Sequence, residues 1–237
     1  MKACLFATLL VLCATPLLAQ EAVAPAAVQT PPPVGAVQTH TSDIGFSYSL
    51  PLDWKIINTK PKFLLLKERA TTESKTDSEK KYNSCAEIDL MAQNGNPASV
   101  IEVTTLSFAC YGEVLKDVDL PVFASARAWS FSESFGISDT ALREYKIGTH
   151  SVWIERARGI SIAHPEVRVT LETVCSFLRK SAVCWRIIAA NQASLDTFER
   201  GAVTLEGESS LALVPAEARE LHPIKIVNVR NKPANNQ

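Results

Sequence analysis

The segment SVWIERARG, residues 151–159, places Trp153, Glu155, Arg156 and Arg158 closer together than any comparable polar set in the chain. On a strand, Trp153 and Glu155 point one way with Ala157, whereas Ile154, Arg156 and Arg158 point the other. An aromatic ring with two guanidinium groups near a sheet surface can hold an anionic or sugar ligand. Trp153, Arg156 and Arg158 are therefore candidate small-ligand-binding residues. The competing account is structural: Arg156 or Arg158 pairs with Glu172 on a neighbouring strand, as cross-strand charges do.

His150-Ser151 offers a second chemistry. A histidine beside a serine could act as general base for hydrolysis, with Glu155 or Glu166 orienting the imidazole. The sequence supplies no oxyanion hole to go with it, and Gly148-Thr149-His150-Ser151 reads more simply as a polar turn. His164-Pro165 has the same explanation in the next loop, while His40 and His222 lie near the two ends. The chain has no GxSxG elbow, no phosphate-cradling glycine loop and no HExxH, and only nine glycines. The expectation is a protein that is not an enzyme, with no catalytic residues, no cofactor and no metal.

The compartment decides how the cysteines are read. MKACLFATLLVLCATPLLA carries one positive charge, an apolar run and a small residue at Ala19, the three-part layout of a cleaved signal peptide. Its apolar stretch, broken by Pro16, is short for the ~20 residues that span a bilayer. Leu12 is too bulky to precede an acylated Cys13. Residues 1–19 are thus expected to be removed, leaving an exported protein, periplasmic or secreted, with no membrane span. Of 24 basic residues only Lys2 leaves, so 23 face 25 acidic ones, a net charge of −2. That balance gives no reason to expect nucleic acid as partner.

Cys4 and Cys13 go with the signal, and Cys85, Cys110, Cys175 and Cys184 stay. An even count in an exported chain reads as two disulfides, for which three connectivities exist. The preferred pairs are Cys85–Cys110 and Cys175–Cys184. A four-thiolate zinc site is the alternative, but no CxxC supplies its usual spacing.

Elements to position these residues can be read along the chain. Residues 20–41 are rich in Pro and Ala and predict a disordered linker. A folded domain is expected over 42–227 and a flexible tail over 228–237. Phe46, Tyr48 and Leu50 alternate with serines as a half-buried strand does, Pro51-Leu52-Asp53 turns, and Trp54–Ile57 continues. Phe63–Leu66 reads as a short strand and 71–84 as a polar excursion. Cys85–Ala92 and Val100–Phe108 read as a hairpin around Asn94-Gly95, bringing Cys85 beside Cys110.

Leu120–Phe135 reads as a helix opened by Asp119 and Pro121 and closed by Gly136, with Trp129 widening its apolar core stripe. Strands follow at 141–147, 151–157, 167–177 and 183–190. A turn centred on Arg179-Lys180 sets Cys175 opposite Cys184, where facing Cα atoms of an antiparallel pair are ~4.5–5.5 Å apart. A short helix capped by Ser194 and an apolar segment 211–214 complete the domain. The fold class is α+β, an antiparallel sheet flanked by helices.

The run Gly45-Phe-Ser-Tyr-Ser-Leu-Pro-Leu-Asp-Trp54 resembles the opening hairpin of PsbP-like proteins. That superfamily includes the extrinsic photosystem subunit, the Ran-binding Mog proteins and exported bacterial domains. The order of elements is similar as well, over Ser42 to about Pro215. The resemblance implies an antiparallel sheet sandwiched by helices. It assigns no binding residue, because members bind unrelated partners and most are not enzymes. The four cysteines and the Lys/Glu-rich loop depart from the photosystem subunit.

Three functions follow from these features. The first is a non-catalytic binding domain of the cell envelope, stabilised by two disulfides, whose partner is an envelope or extracellular protein. The second is a small-ligand module using Trp153, Arg156 and Arg158. The third is a hydrolase with His150 as general base.

Overall fold

A computed structural model describes residues 36–57, 72 and 76–223. The signal segment, most of the linker, the strand expected at 63–66 and the tail at 228–237 lie outside the described residues. What is described is a single α+β domain of two antiparallel sheets with helices on both sides.

The smaller sheet contains β1 (Val37–Thr41) and β2 (Phe46–Pro51). The larger sheet takes up the next strands, β3 (Lys55–Ile56), β4 (Ala86–Asn94) and β5 (Ser99–Ser107). It continues through β6 (Phe135–Ile147), β7 (His150–Ser161), β8 (Arg168–Phe177) and β9 (Ser181–Ala189). The chain then returns to the smaller sheet with β10 (Val203–Leu205) and β11 (Glu208–Ser210), before β12 (His222–Pro223) closes the larger one. Strand orders are β1-β2-β10-β11 and β12-β6-β7-β8-β9-β5-β4-β3.

Composition places Val37–Thr41 in the linker, but the structure pairs it with β2 from Val37↔Pro51 to Thr41↔Ser47. The domain therefore starts before residue 42. Alternation of Val37, Thr39 and Thr41 with Gln38 and His40 suits an edge strand, and its polarity hid it among linker residues. A second difference is α1 (Asp77–Cys85), a helix inside the expected polar excursion. The Thr76 hydroxyl accepts from the Glu79 amide at 3.1 Å and caps it. Tyr82 and Cys85 are its core-directed side chains.

The larger sheet is buried on both faces. Toward the smaller sheet, Phe46, Tyr48 and Leu50 of β2 meet Val174, Trp185 and Ile187, with Phe46 edge-on to Trp185 at 5.4 Å. Leu195 and Phe198 of α3 (Gln192–Glu199) fill the same layer. Asn191, not Ser194, caps α3 by accepting from the Ser194 amide at 2.9 Å. Within the expected apolar segment 211–214, Leu213 and Val214 are buried while Leu211 is exposed.

The opposite face carries α2 (Leu120–Trp129), packed through Leu120 and Ala124 on Phe177 and the Cys175–Cys184 bridge. α2 ends earlier than the pattern predicts. A 3-10 turn, Ser130–Glu133, follows it, and Phe135 already belongs to β6. Three serines at 130, 132 and 134 weaken the helix there, and Phe131 and Phe135 form a separate small cluster with Leu171.

Both expected disulfides are present. Cys175 faces Cys184 in the β8–β9 ladder with Cα atoms 4.2 Å apart. Cys85–Cys110, with Cα atoms 5.6 Å apart, ties the end of α1 to the helical turn Phe108–Tyr111 that follows β5. All four sulfurs are thus paired, which leaves no thiolate for a zinc site.

Candidate functional site

The residues of SVWIERARG do not form one surface. Trp153 lies half-buried on the α2 side of the sheet, with Phe177 and the Cys175–Cys184 bridge in its cluster. Arg156 projects from the other face into a buried charge cluster. Its Nε lies 2.5 Å from Oε2 of Glu172, a fully buried carboxylate, and its Nη2 bonds Glu199 of α3. Arg219 adds a 3.3 Å contact to the other oxygen of Glu199. Arg158 stands in solvent, 3.6 Å from Asp139. Alternation along the strand separates Trp153 from both arginines, and the cross-strand partner Glu172 consumes the half-buried one, Arg156. Burial pushes the Glu172 carboxyl up to about 8; Arg156 opposes that rise and Glu199 adds to it.

His150 also lacks the company hydrolysis requires. It lines a cleft of about 340 Å³ where the β6–β7, β8–β9 and β10–β11 turns converge, together with Phe177, Leu178, Glu206 and Glu208. Its Nε2 is 3.9 Å from Glu206 and 4.0 Å from Glu208, beyond hydrogen-bond length. Glu208 instead accepts from the amide and hydroxyl of Thr149, and the backbone donor holds its carboxyl below the ordinary range. Ser151, the next residue on the strand, is buried. Glu155 accepts from Ser125, and Glu166 stands 3.5 Å from His164. None of the partners expected for His150 reaches it.

A different feature stands out on α2. With Leu120 aimed at the sheet, a rotation of ~100° per residue turns Val122, Ala126 and Trp129 to about 200°, 240° and 180° from it. All three are exposed, as is Val118 in the 3-10 turn before the helix; Val122 is 75% and Trp129 68% exposed. The sequence pattern counts Trp129 toward the core, but Leu120 and Ala124 set the buried face and leave Trp129 opposite. The one charge within α2, Arg127, folds back over the Tyr82 ring at 4.4 Å. The outward stripe therefore carries no charge. A surface helix normally shows solvent a polar face, whereas α2 shows an apolar stripe.

Beneath α2 the larger sheet carries a polar row in register, Glu155↔Thr173↔Arg186↔Glu102. Arg186 bonds Glu102 at 2.8 Å and the Ser130 hydroxyl at 2.9 Å, and its guanidinium lies over Phe131. At the other end, Glu155 accepts from Ser125 at 2.7 Å. Between them Thr173 is fully buried, and its Oγ1 has no hydrogen-bond partner among the described residues. Glu155, Thr173, Thr140 and Trp129 line a crevice of about 20 Å³ that opens at the end of the stripe. Among the described residues no group of three or more His, Cys, Asp or Glu is arranged to hold a metal ion.

The fold and disulfides define a disulfide-bonded α+β domain built on antiparallel sheets. In structure it is similar to the solution structure of cyanobacterial PsbP (CyanoP) from Synechocystis sp. PCC 6803, with a TM-score of 0.42 and 8% sequence identity. That likeness covers 73% of this chain and 91% of the other. No family model matches the chain, and no curated protein matches it in sequence.

Proposed function

We propose that this protein is an exported, non-catalytic binding domain of the cell envelope that docks a protein partner along the outer face of α2. The observation that carries the reading is the uncharged stripe of Val118, Val122, Ala126 and Trp129 on a helix already packed on its other side. Two disulfides favour an oxidising compartment, in keeping with the signal-type start of the sequence. No helix among the described residues is long and apolar enough to cross a membrane. The separation of Trp153 from Arg156 and of His150 from its expected partners gives the ligand and hydrolase readings no comparable support.

The test is site-specific photocrosslinking in the producing cell, with the reactive residue at Val122 and, as control, at exposed Ser209 on β11. A discrete protein adduct from Val122 that is absent from Ser209 is the expected result. Adducts that are the same from both sites, or none from Val122, would overturn it.

A further inference from the structure

Most acidic side chains packed against the larger sheet hold an arginine. Glu102 has Arg186, Glu172 has Arg156, and Glu199 has Arg156 and Arg219. Among the described residues Glu155 and Asp89 are exceptions, Asp89 having His40 at 3.4 Å. Glu155 is partly buried, and its one hydrogen bond is the Ser125 hydroxyl; no cation lies within ion-pair distance among the described residues. Removing a carboxylate from water without a countercharge is costly, and burial accordingly raises its proton affinity above the ordinary value. The Thr173 hydroxyl beside it is buried and unpartnered. Both line the same crevice as the exposed Trp129, together with Ala128, Ile137 and Ala157.

We propose that the Trp129 crevice is a binding site for a primary ammonium group on an aliphatic stem, the end of a lysine side chain of the partner that lies along α2. This rests on the docking role given to α2 above. An ammonium group has three donors and no acceptor, and here it meets a carboxylate, a free hydroxyl oxygen and an indole face, the best aromatic partner for a cation. The stem crosses apolar walls, as long basic side chains do elsewhere. Size sets the specificity: about 20 Å³ has room for one water-sized head. A planar guanidinium or a trimethylammonium group is too large.

The experiment is an NMR titration of the purified protein with Nα-acetyl-lysine amide, following the Trp129 indole and the Thr173 amide. Nα-acetyl-norleucine amide and Nα-acetyl-arginine amide serve as controls. Saturable shifts with the lysine compound alone are expected. Trp129→Ala should weaken binding about threefold, the worth of an exposed cation–π contact. Glu155→Gln should weaken it about tenfold, as loss of a charged hydrogen-bond acceptor does. Trp129 is exposed, so its variant keeps the test valid if the Glu155 variant folds poorly. Equal shifts from norleucine or arginine, or unchanged affinity in the Trp129→Ala protein, would overturn the site. A Val122 crosslink obtained alongside such a failure would leave the docking role of α2 standing.

Discussion

Arg156 reaches Glu172 across the β7–β8 ladder at 2.5 Å, and that carboxylate has no exposed surface. Above pH 8, where Glu172 is ionised, removing the arginine leaves a buried charge without its partner, which costs about 3–5 kcal/mol. Arg158, two residues on, is 79% exposed and 3.6 Å from Asp139, and its loss should cost less than about 1 kcal/mol. Urea unfolding of Arg156→Ala and Arg158→Ala measures the contrast. Equal effects would contradict the placement of the two side chains on this strand.

Glu172 also sets a pH dependence. Its folded value near 8 exceeds the ordinary 4.5, so the native state binds more protons than the unfolded state between those values. Stability should therefore fall as pH rises from about 5 to 8, by at most ~1.4 kcal/mol per pH unit for one proton. Glu199 and Glu155, also raised by burial, act in the same direction. Urea midpoints across that range should decline, and Glu172→Gln should flatten the slope. A midpoint that climbs with pH would reverse the assignment.

The two disulfides differ in loop length, 25 residues for Cys85–Cys110 and 9 for Cys175–Cys184. Chain entropy alone gives the first about 3–4 kcal/mol and the second about 2–3. Cys175 and Cys184 are also buried in the core, so opening that bridge disturbs packing as well. Paired Cys→Ser variants, followed by thermal unfolding, should both be destabilised. A Cys85→Ser/Cys110→Ser protein as stable as the parent would contradict its role in anchoring α1.

Val122→Asp and Leu120→Asp separate binding from folding on one helix. Val122 is 75% exposed, and its substitution should change stability by no more than about 0.5 kcal/mol. The same change should abolish the partner adduct formed from a reactive residue placed at exposed Ala126 on the same stripe. Leu120 is buried, and a carboxylate there should unfold the α2 side of the domain. Loss of fold in both variants would show that the outer stripe is core after all.

The β8–β9 hairpin was legible because Val169, Leu171, Thr173 and Cys175 alternate strictly with Thr170, Glu172 and Val174, and period-two alternation fixes a register. The Arg156–Glu172 pair was legible for the same reason, as neighbouring strands bring the two side chains together. Glu199 was not, because α3 is brought beneath Arg156 only by the return of the chain. β1, β10 and β11 are short and partly polar, and nothing local distinguishes them from linker or turn. α1 has little apolar character beyond Tyr82 and Cys85, so no periodicity announced it. The orientation of Trp129 depends on which residues α2 buries, and the aromatic count around it pointed toward the core. The crevice was invisible in sequence, since Glu155 and Thr173 acquire meaning only as facing residues under Trp129.

Both sulfur bridges involve the α2 side of the larger sheet, while the layer of Phe46, Tyr48, Trp185 and Phe198 contains none. The domain is in this sense a laminate bonded by two different adhesives, one covalent and one made of apolar contacts with buried ion pairs among them. Thiol chemistry can loosen the lamina that bears the outer stripe while leaving its counterpart glued. Reduction would then loosen the α2 side of the sheet while leaving the layer behind it in place.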